Sequence, residues 1–137
     1  MQIVPYLFFN GTCAEAFRFY EKALGGKVVE MLTHAETPAK DHVPPEWHDK
    51  IIHARLVIGD QAIMASDAPP AHQKQAQGIS VSLHVKTEEE AERVFNALAE
   101  GGTVSMPMEK TFWSARFGML TDRYGTPWMV NCESPPG

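Results

Sequence analysis

Two arginines are the residues here best suited to holding a ligand: Arg55 in "HARL" (53–56) and Arg116 in "SARF" (114–117). A guanidinium is planar, permanently charged and offers paired N–H donors, so two of them converging would make a site for a phosphate, phosphonate or similar oxyanion. Two histidines accompany them, His53 and, in "SVSLHV" (80–85), His84. An imidazole donates to an anion when protonated and serves as a general base when neutral. Ser80 and Ser82 fall at alternate positions with His84, so a strand there would present two hydroxyls and the ring on one face.

Other chemistries lack their residues. His34, His42 and His48, with Asp41, Glu46 and Asp49, are scattered through "HAETPAKDHVPPEWHDK" (34–50) at no metal-ligand spacing and read as a solvated loop. There is no G-x-S-x-G elbow and no P-loop. Cys13 falls at a helix start, where the dipole can lower a thiol pKa, but nothing beside it points to a nucleophile and a packed core position is the simpler reading. Net charge is −5 with no Lys/Arg block, which argues against nucleic acid. "IVPYLFF" (3–9) lacks a basic flank and is too short to span a bilayer, which argues against a membrane. Cys13 and Cys132, without C-x-x-C spacing, suggest a reducing, cytoplasmic setting.

The elements that must position these residues follow from periodicity and punctuation. "QIVPYLFFNG" reads as a strand. Thr12 is a candidate cap for a helix "CAEAFRFYEKAL" with Glu15 at the capping-box position, Ala16, Phe19, Tyr20 and Ala23 on its inner stripe, and Gly25-Gly26 ending it. "KVVEMLT", "IIHARLVI" and "QAIMASD" read as three further strands, the last two joined at Gly59-Asp60. The order is β-α-β-β-β over residues 1–67. After a linker, "APPAHQKQAQG" (68–78), residues 79–133 repeat it. "ISVSLHV" is a strand, Thr87 caps "EEEAERVFNALAE", Gly101-Gly102 end that helix, and "TVSMPM", "TFWSARFGMLT" and "TPWMVNCE" follow as strands.

Three matches support the duplication: "ALGGKV" with "AEGGTV", "HARL" with "SARF", and "AIMASD" (62–67) with "PWMVNC" (127–132). The last pairs Met64 with Met129. The second places Arg55 and Arg116 at equivalent positions, from which they either converge on one cavity or stand as plain edge or surface residues. Alternation puts Val81, Leu83 and Val85 toward the helix and Ser80, Ser82 and His84 toward a hydrated face, with His53 and Arg55 on the corresponding face of the first repeat. The aromatic residues Trp47, Phe112, Trp113 and Trp128 read mostly as core, with one or two of them candidates for a pocket wall. Each half is small for an independent core, so the two should share a sheet or exchange partners, and a homodimer is expected.

Duplicated β-α-β-β-β modules containing "FRFYEKALGG" and "TDRYGTPWMV" resemble the vicinal-oxygen-chelate superfamily of glyoxalases, extradiol dioxygenases and bleomycin-resistance proteins. "VPYLFFNGTCAEAFRFYEKALGG", "ARLVIGDQAIMASD" and "FGMLTDRYGTPWMVN" are similar to its PhnB-like group, also labelled 3-demethylubiquinone-methyltransferase-like. The resemblance implies a single α+β domain, two tandem modules forming a curved sheet around a cavity. In metal-dependent members the first and last strand of each module supply His, Gln or Glu to a divalent ion. Carried over, those slots fall at about Pro5, Met64, Ser80 and Met129, which implies no metal and no cofactor. The methyltransferase label finds no Gly-rich strand-to-helix turn, since the glycine pairs end helices.

Three readings remain open. One is a metal-free protein binding a small, possibly anionic molecule through Arg55, Arg116, His53, His84, Ser80 and Ser82 over a floor of Met64 and Met129. The second is an enzyme with a rebuilt metal site or a histidine base. The third is a structural or regulatory partner whose cavity the methionines close.

Overall fold

The structure, a computed structural model, describes residues 1–68 and 76–133, so the expected linker (68–78) falls mostly outside the described residues. The chain divides into two compact units, Met1–Lys74 and Gln75–Gly137, each an open four-stranded sheet carrying one helix. The architecture is α+β, and each unit runs β-α-β-β-β as the repeat predicts.

In the first unit, β1 (Tyr6–Phe9), α1 (Cys13–Leu24), β2 (Lys27–Thr33), β3 (Ile51–Ile58) and β4 (Gln61–Asp67) build a sheet of order β1-β4-β3-β2. β1 and β4 are parallel and the other pairs antiparallel. Residues 34–50, read from the sequence as a loop, wind into three short 3₁₀ turns. The helix buries Cys13, Ala16, Phe17, Tyr20 and Ala23. Phe17 thus replaces the expected Phe19. The positions 13, 16, 17 and 20 follow the i, i+3, i+4, i+7 stripe, and Phe19 lies at its flank. Phe9, Phe17 and Tyr20 form an aromatic cluster with ring centroids 5.9 to 6.5 Å apart. Each such ring, fully buried, contributes on the order of 2 kcal/mol.

The Thr12 cap is not made, for its side chain forms no capping bond. Asp67, at the end of β4, supplies the anion instead. Its buried carboxylate accepts the Cys13 N–H at 2.9 Å and the Ile51 N–H at 2.9 Å, tying the helix start to β3 and β4. At the other end Gly25 takes a left-handed φ of 72°, as the glycine pair predicts.

The second unit comprises β5 (Val81–Val85), α2 (Glu88–Ala99), β6 (Thr103–Glu109), β7 (Ser114–Thr121) and β8 (Pro127–Glu133), in the order β5-β8-β7-β6. Thr87 caps α2 as predicted, its hydroxyl accepting the Glu90 N–H at 3.1 Å. Val94, Phe95 and Leu98 pack against a sheet face carrying Leu120, Trp128 and Val130. Phe112 and Trp113, expected in the core, are 94% and 50% exposed, lying before β7. No helix among the described residues is long and apolar enough to cross a membrane.

The turn "TDRYGTPW" is organised by Asp122. One carboxylate oxygen accepts the Tyr124 and Thr126 N–H groups at 2.8 and 3.0 Å, and the other accepts Trp128 Nε1–H at 2.7 Å. Asp122 is only 4% exposed and Trp128 fully buried, so this acid is a structural keystone rather than a site residue.

Candidate functional site

Each sheet has a helix-bearing face and an open face. Ladder register states which side chains share them, because residues directly paired across strands point the same way. In the first unit one cross-strand row on the open face reads Glu30, Arg55, Met64, Tyr6, from β2 through β3 and β4 to β1. The corresponding row of the second unit reads Met106, Met119, Met129, Ser82. These two rows are the same positions of the fold filled with different chemistry.

The first row is charged. His53 lies next to it, with Nδ1 3.4 Å from Tyr6 Oη and Nε2 3.6 Å from Glu30 Oε2. The Tyr6 and His53 rings are stacked, centroids 6.1 Å apart. Arg55 is partly buried and forms no ion pair or hydrogen bond among the described residues. Glu30 is its cross-strand neighbour but makes no ion pair with it, so the paired N–H donors of the guanidinium are left for an anion.

The second row is soft and neutral. Met119, Met129 and Ser80 help line an open cavity of about 580 Å³. Beside the row, His84 Nε2 is 3.1 Å from Ser82 Oγ, and Asn131 Nδ2 is 3.2 Å from His84 Nδ1. With the Asn131 amide donating to Nδ1, the neutral ring carries its proton on Nε2 and donates to Ser82. Nε2 is then no base for that hydroxyl, and the trio does not make a serine nucleophile. Asn131 Oδ1 is buried without a partner among the described residues.

Arg116 lies elsewhere. It pairs across the ladder with Cys132, on the face that carries α2, and its guanidinium forms an ion pair with Glu92 of that helix. The expected equivalence of Arg55 and Arg116 is therefore corrected. Arg55 stands opposite Met64 and Met119 opposite Met129, so the counterpart of Arg55 is Met119, three residues beyond Arg116. An odd register slip turns a side chain to the other face of a sheet. In strand one of each unit the ladder partners of Met64 and Met129 are Tyr6 and Ser82 rather than Pro5 and Ser80, one residue along in the first unit and two in the second.

The structure thus brings His53, Arg55 and Met64 together on one open face and Ser80, Ser82, His84 and Met129 on the other, and it removes Arg116. Sequence reasoning missed Tyr6, Glu30 and Asn131. Tyr6 reaches His53 only through two successive strand pairings, and its visible signal was the alternation of Tyr6 and Phe8 against Leu7 and Phe9. Burial raises the pKa of both thiols, with Asp67 adding to the effect at Cys13 and Glu88 at Cys132, so neither cysteine is an activated nucleophile.

The sequence matches the glyoxalase/bleomycin resistance protein/dioxygenase superfamily over residues 2–130. The chain belongs to that superfamily. It is 34% identical to protein YjdN of Escherichia coli, covering 96% of this chain and 95% of that one. Protein PA1353 of Pseudomonas aeruginosa is 55% identical with a TM-score of 0.90, covering 98% of this chain and 99% of that one. The PhnB protein of Bacillus cereus is 28% identical with a TM-score of 0.81, covering 96% and 99%. The PhnB-like resemblance is therefore confirmed at the level of family and fold.

A hard divalent ion of the kind used by metal-dependent superfamily members needs nitrogen and oxygen donors in a group. Among the described residues no group of three or more His, Cys, Asp and Glu is placed to hold a metal. The ladder partners of Met64 are Arg55 and Tyr6 and those of Met129 are Met119 and Ser82, a set with no carboxylate or imidazole, which does not fit such an ion.

Proposed function

We propose that the protein binds a small anionic molecule on the open face of its first unit, without the divalent metal that enzymes of the superfamily employ. The observation that carries this reading is Arg55, a partly buried guanidinium on an open face with no partner among the described residues. Tyr6, beside it, has a rotatable O–H that can turn from His53 Nδ1, 3.4 Å away, to the same ligand. With no ligand set for a divalent ion at the expected positions, the guanidinium supplies the positive charge that a metal would otherwise bring. Phosphate and phosphonate are the ligand classes whose geometry suits its paired donors.

A ligand that binds only the folded protein raises its melting temperature. Titration with inorganic phosphate and methylphosphonate should give a saturable rise in wild type. Arg55→Ala should abolish the rise, Arg55→Lys should restore part of it, and Arg116→Ala should leave it intact. No saturable rise with any small oxyanion would refute the proposal.

A second reading is favoured by one contact. His53 touches both Tyr6 Oη and Glu30 Oε2, a base held between a phenol and a carboxylate. That arrangement can move a proton to or from a bound substrate, which would make the protein an enzyme with a histidine base. Product formation from the bound anion, lost in His53→Gln while binding persists, would establish it. We further propose a homodimeric, cytoplasmic protein. Phe8, 60% exposed on edge strand β1, is a residue that a second copy would cover.

A further inference from the structure

Three methionines stand side by side on the open face of the second unit. Met106 is paired with Met119, and Met119 with Met129, across three neighbouring strands. Directly paired residues hold their Cβ atoms about 5 Å apart. The three rotatable bonds of each side chain let the two outer sulfurs lean over the central one. The row is open to solvent: Met106 is 40% exposed, and Met119 and Met129 line the cavity of about 580 Å³.

The fold does not demand methionine at these positions. The same row of the first unit is filled by Glu30, Arg55 and Met64. Nor is methionine the general filler of the second unit's core, which is built from Phe95, Leu98, Leu120, Trp128 and Val130 with Met108 alone among the methionines. Three of the seven methionines of the chain are thus gathered into one accessible line. Ser82 ends that line, and no carboxylate occupies it.

We propose that the row Met106–Met119–Met129 is a binding site for a soft monovalent cation, Cu(I) or its redox-inert analogue Ag(I), held by three thioether sulfurs. Thioethers are soft, uncharged donors that select Cu(I) over hard divalent ions. They carry no proton to lose, so binding here, unlike binding to thiolates or imidazoles, needs no deprotonation. The site is independent of the anion reading, which concerns the first unit.

An apolar floor for an organic ligand is the competing account of the same row, and leucine separates the two. Met→Leu conserves volume and apolar area while removing the sulfur, and such swaps are well tolerated. The full chain, titrated with Ag(I) in chloride-free and thiol-free buffer, should bind one ion. Binding should persist at about pH 5, where thiols and free imidazoles are protonated and poor ligands. Met119→Leu should weaken binding by more than about tenfold, the least that even an outer-shell change costs a metal site. Met119→Leu/Met129→Leu should abolish it. In spectra of protein labelled at the methionine ε-methyl groups, Ag(I) should shift Met106, Met119 and Met129 and leave Met31 and Met108 in place, a readout that needs no variant. Unchanged methyl signals, or leucine variants that bind as wild type does, would overturn the proposal and assign any bound ion to the cysteines.

Discussion

Replacing Asp122 tests whether the turn before β8 is held by one buried carboxylate. Asp122→Ala removes acceptors from the Tyr124 N–H, the Thr126 N–H and the indole N–H of Trp128. Thr126 is 5% exposed and Trp128 fully buried, so at least two donors are stranded away from water. A hydrogen bond to a charged group is worth about 1.5–3 kcal/mol, which gives about 3–6 kcal/mol for two. That is a large share of the roughly 5–15 kcal/mol by which a domain is stable. Asp122→Asn retains an acceptor for the two amides and loses chiefly the indole bond, so about 1.5–3 kcal/mol is expected. Trp128→Phe removes the same donor, and the double variant Asp122→Asn/Trp128→Phe should cost less than the sum of the singles by about 1 kcal/mol or more. Urea unfolding followed by far-ultraviolet circular dichroism measures each value without relying on tryptophan fluorescence. A loss under about 1 kcal/mol for Asp122→Ala, or strict additivity in the cycle, would refute the reasoning.

Further expectations concern the fold and the thiols. A Cβ at Gly102 would collide with the backbone of Thr121 and Asp122, so Gly102→Ala should lower the urea midpoint, and a midpoint equal to wild type would contradict the close approach. Burial holds the Cys13 thiol protonated in the folded chain, whereas the unfolded chain ionises above about pH 9. Folding stability should therefore fall as pH rises above that value, by up to about 1.4 kcal/mol per pH unit from this group. The Cys13→Ala variant should lose that part of the slope, as paired urea titrations at alkaline pH would show. Light scattering at micromolar concentration should give a mass near 30 kDa, twice the 15.2 kDa chain, and a monomer mass would remove the dimer.

Much of the fold was legible in the sequence because its signals are local. Helix α1 was read with its exact ends from Thr12 to Gly25, and β2, β3 and β4 fall where alternation and the Gly59-Asp60 turn place them. Features set by distant pairing were not legible. The Thr12 cap was displaced by Asp67, a residue more than fifty positions away in the chain that reaches the helix start only when β4 lies beside β1. The arginine match was convincing as letters, yet it ignored the bulge in β7 between Ser114 and Arg116 and the longer turn between β7 and β8. Those irregularities move the register by an odd number, and Arg116 turns to Glu92 instead of to the open face. The site is read best where alternation alone decides it, as for Ser82 and His84, and worst where it depends on neighbours from other strands, as for Tyr6 and Glu30.

The central claim is that Arg55 binds a small oxyanion without a divalent metal. Isothermal titration calorimetry of methylphosphonate into chelator-treated protein tests it most directly, with Arg55→Ala and Arg116→Ala run beside wild type. The account predicts a saturable isotherm for wild type and Arg116→Ala and none for Arg55→Ala. Binding that appears only after a divalent metal is restored, or that survives in Arg55→Ala, would contradict it.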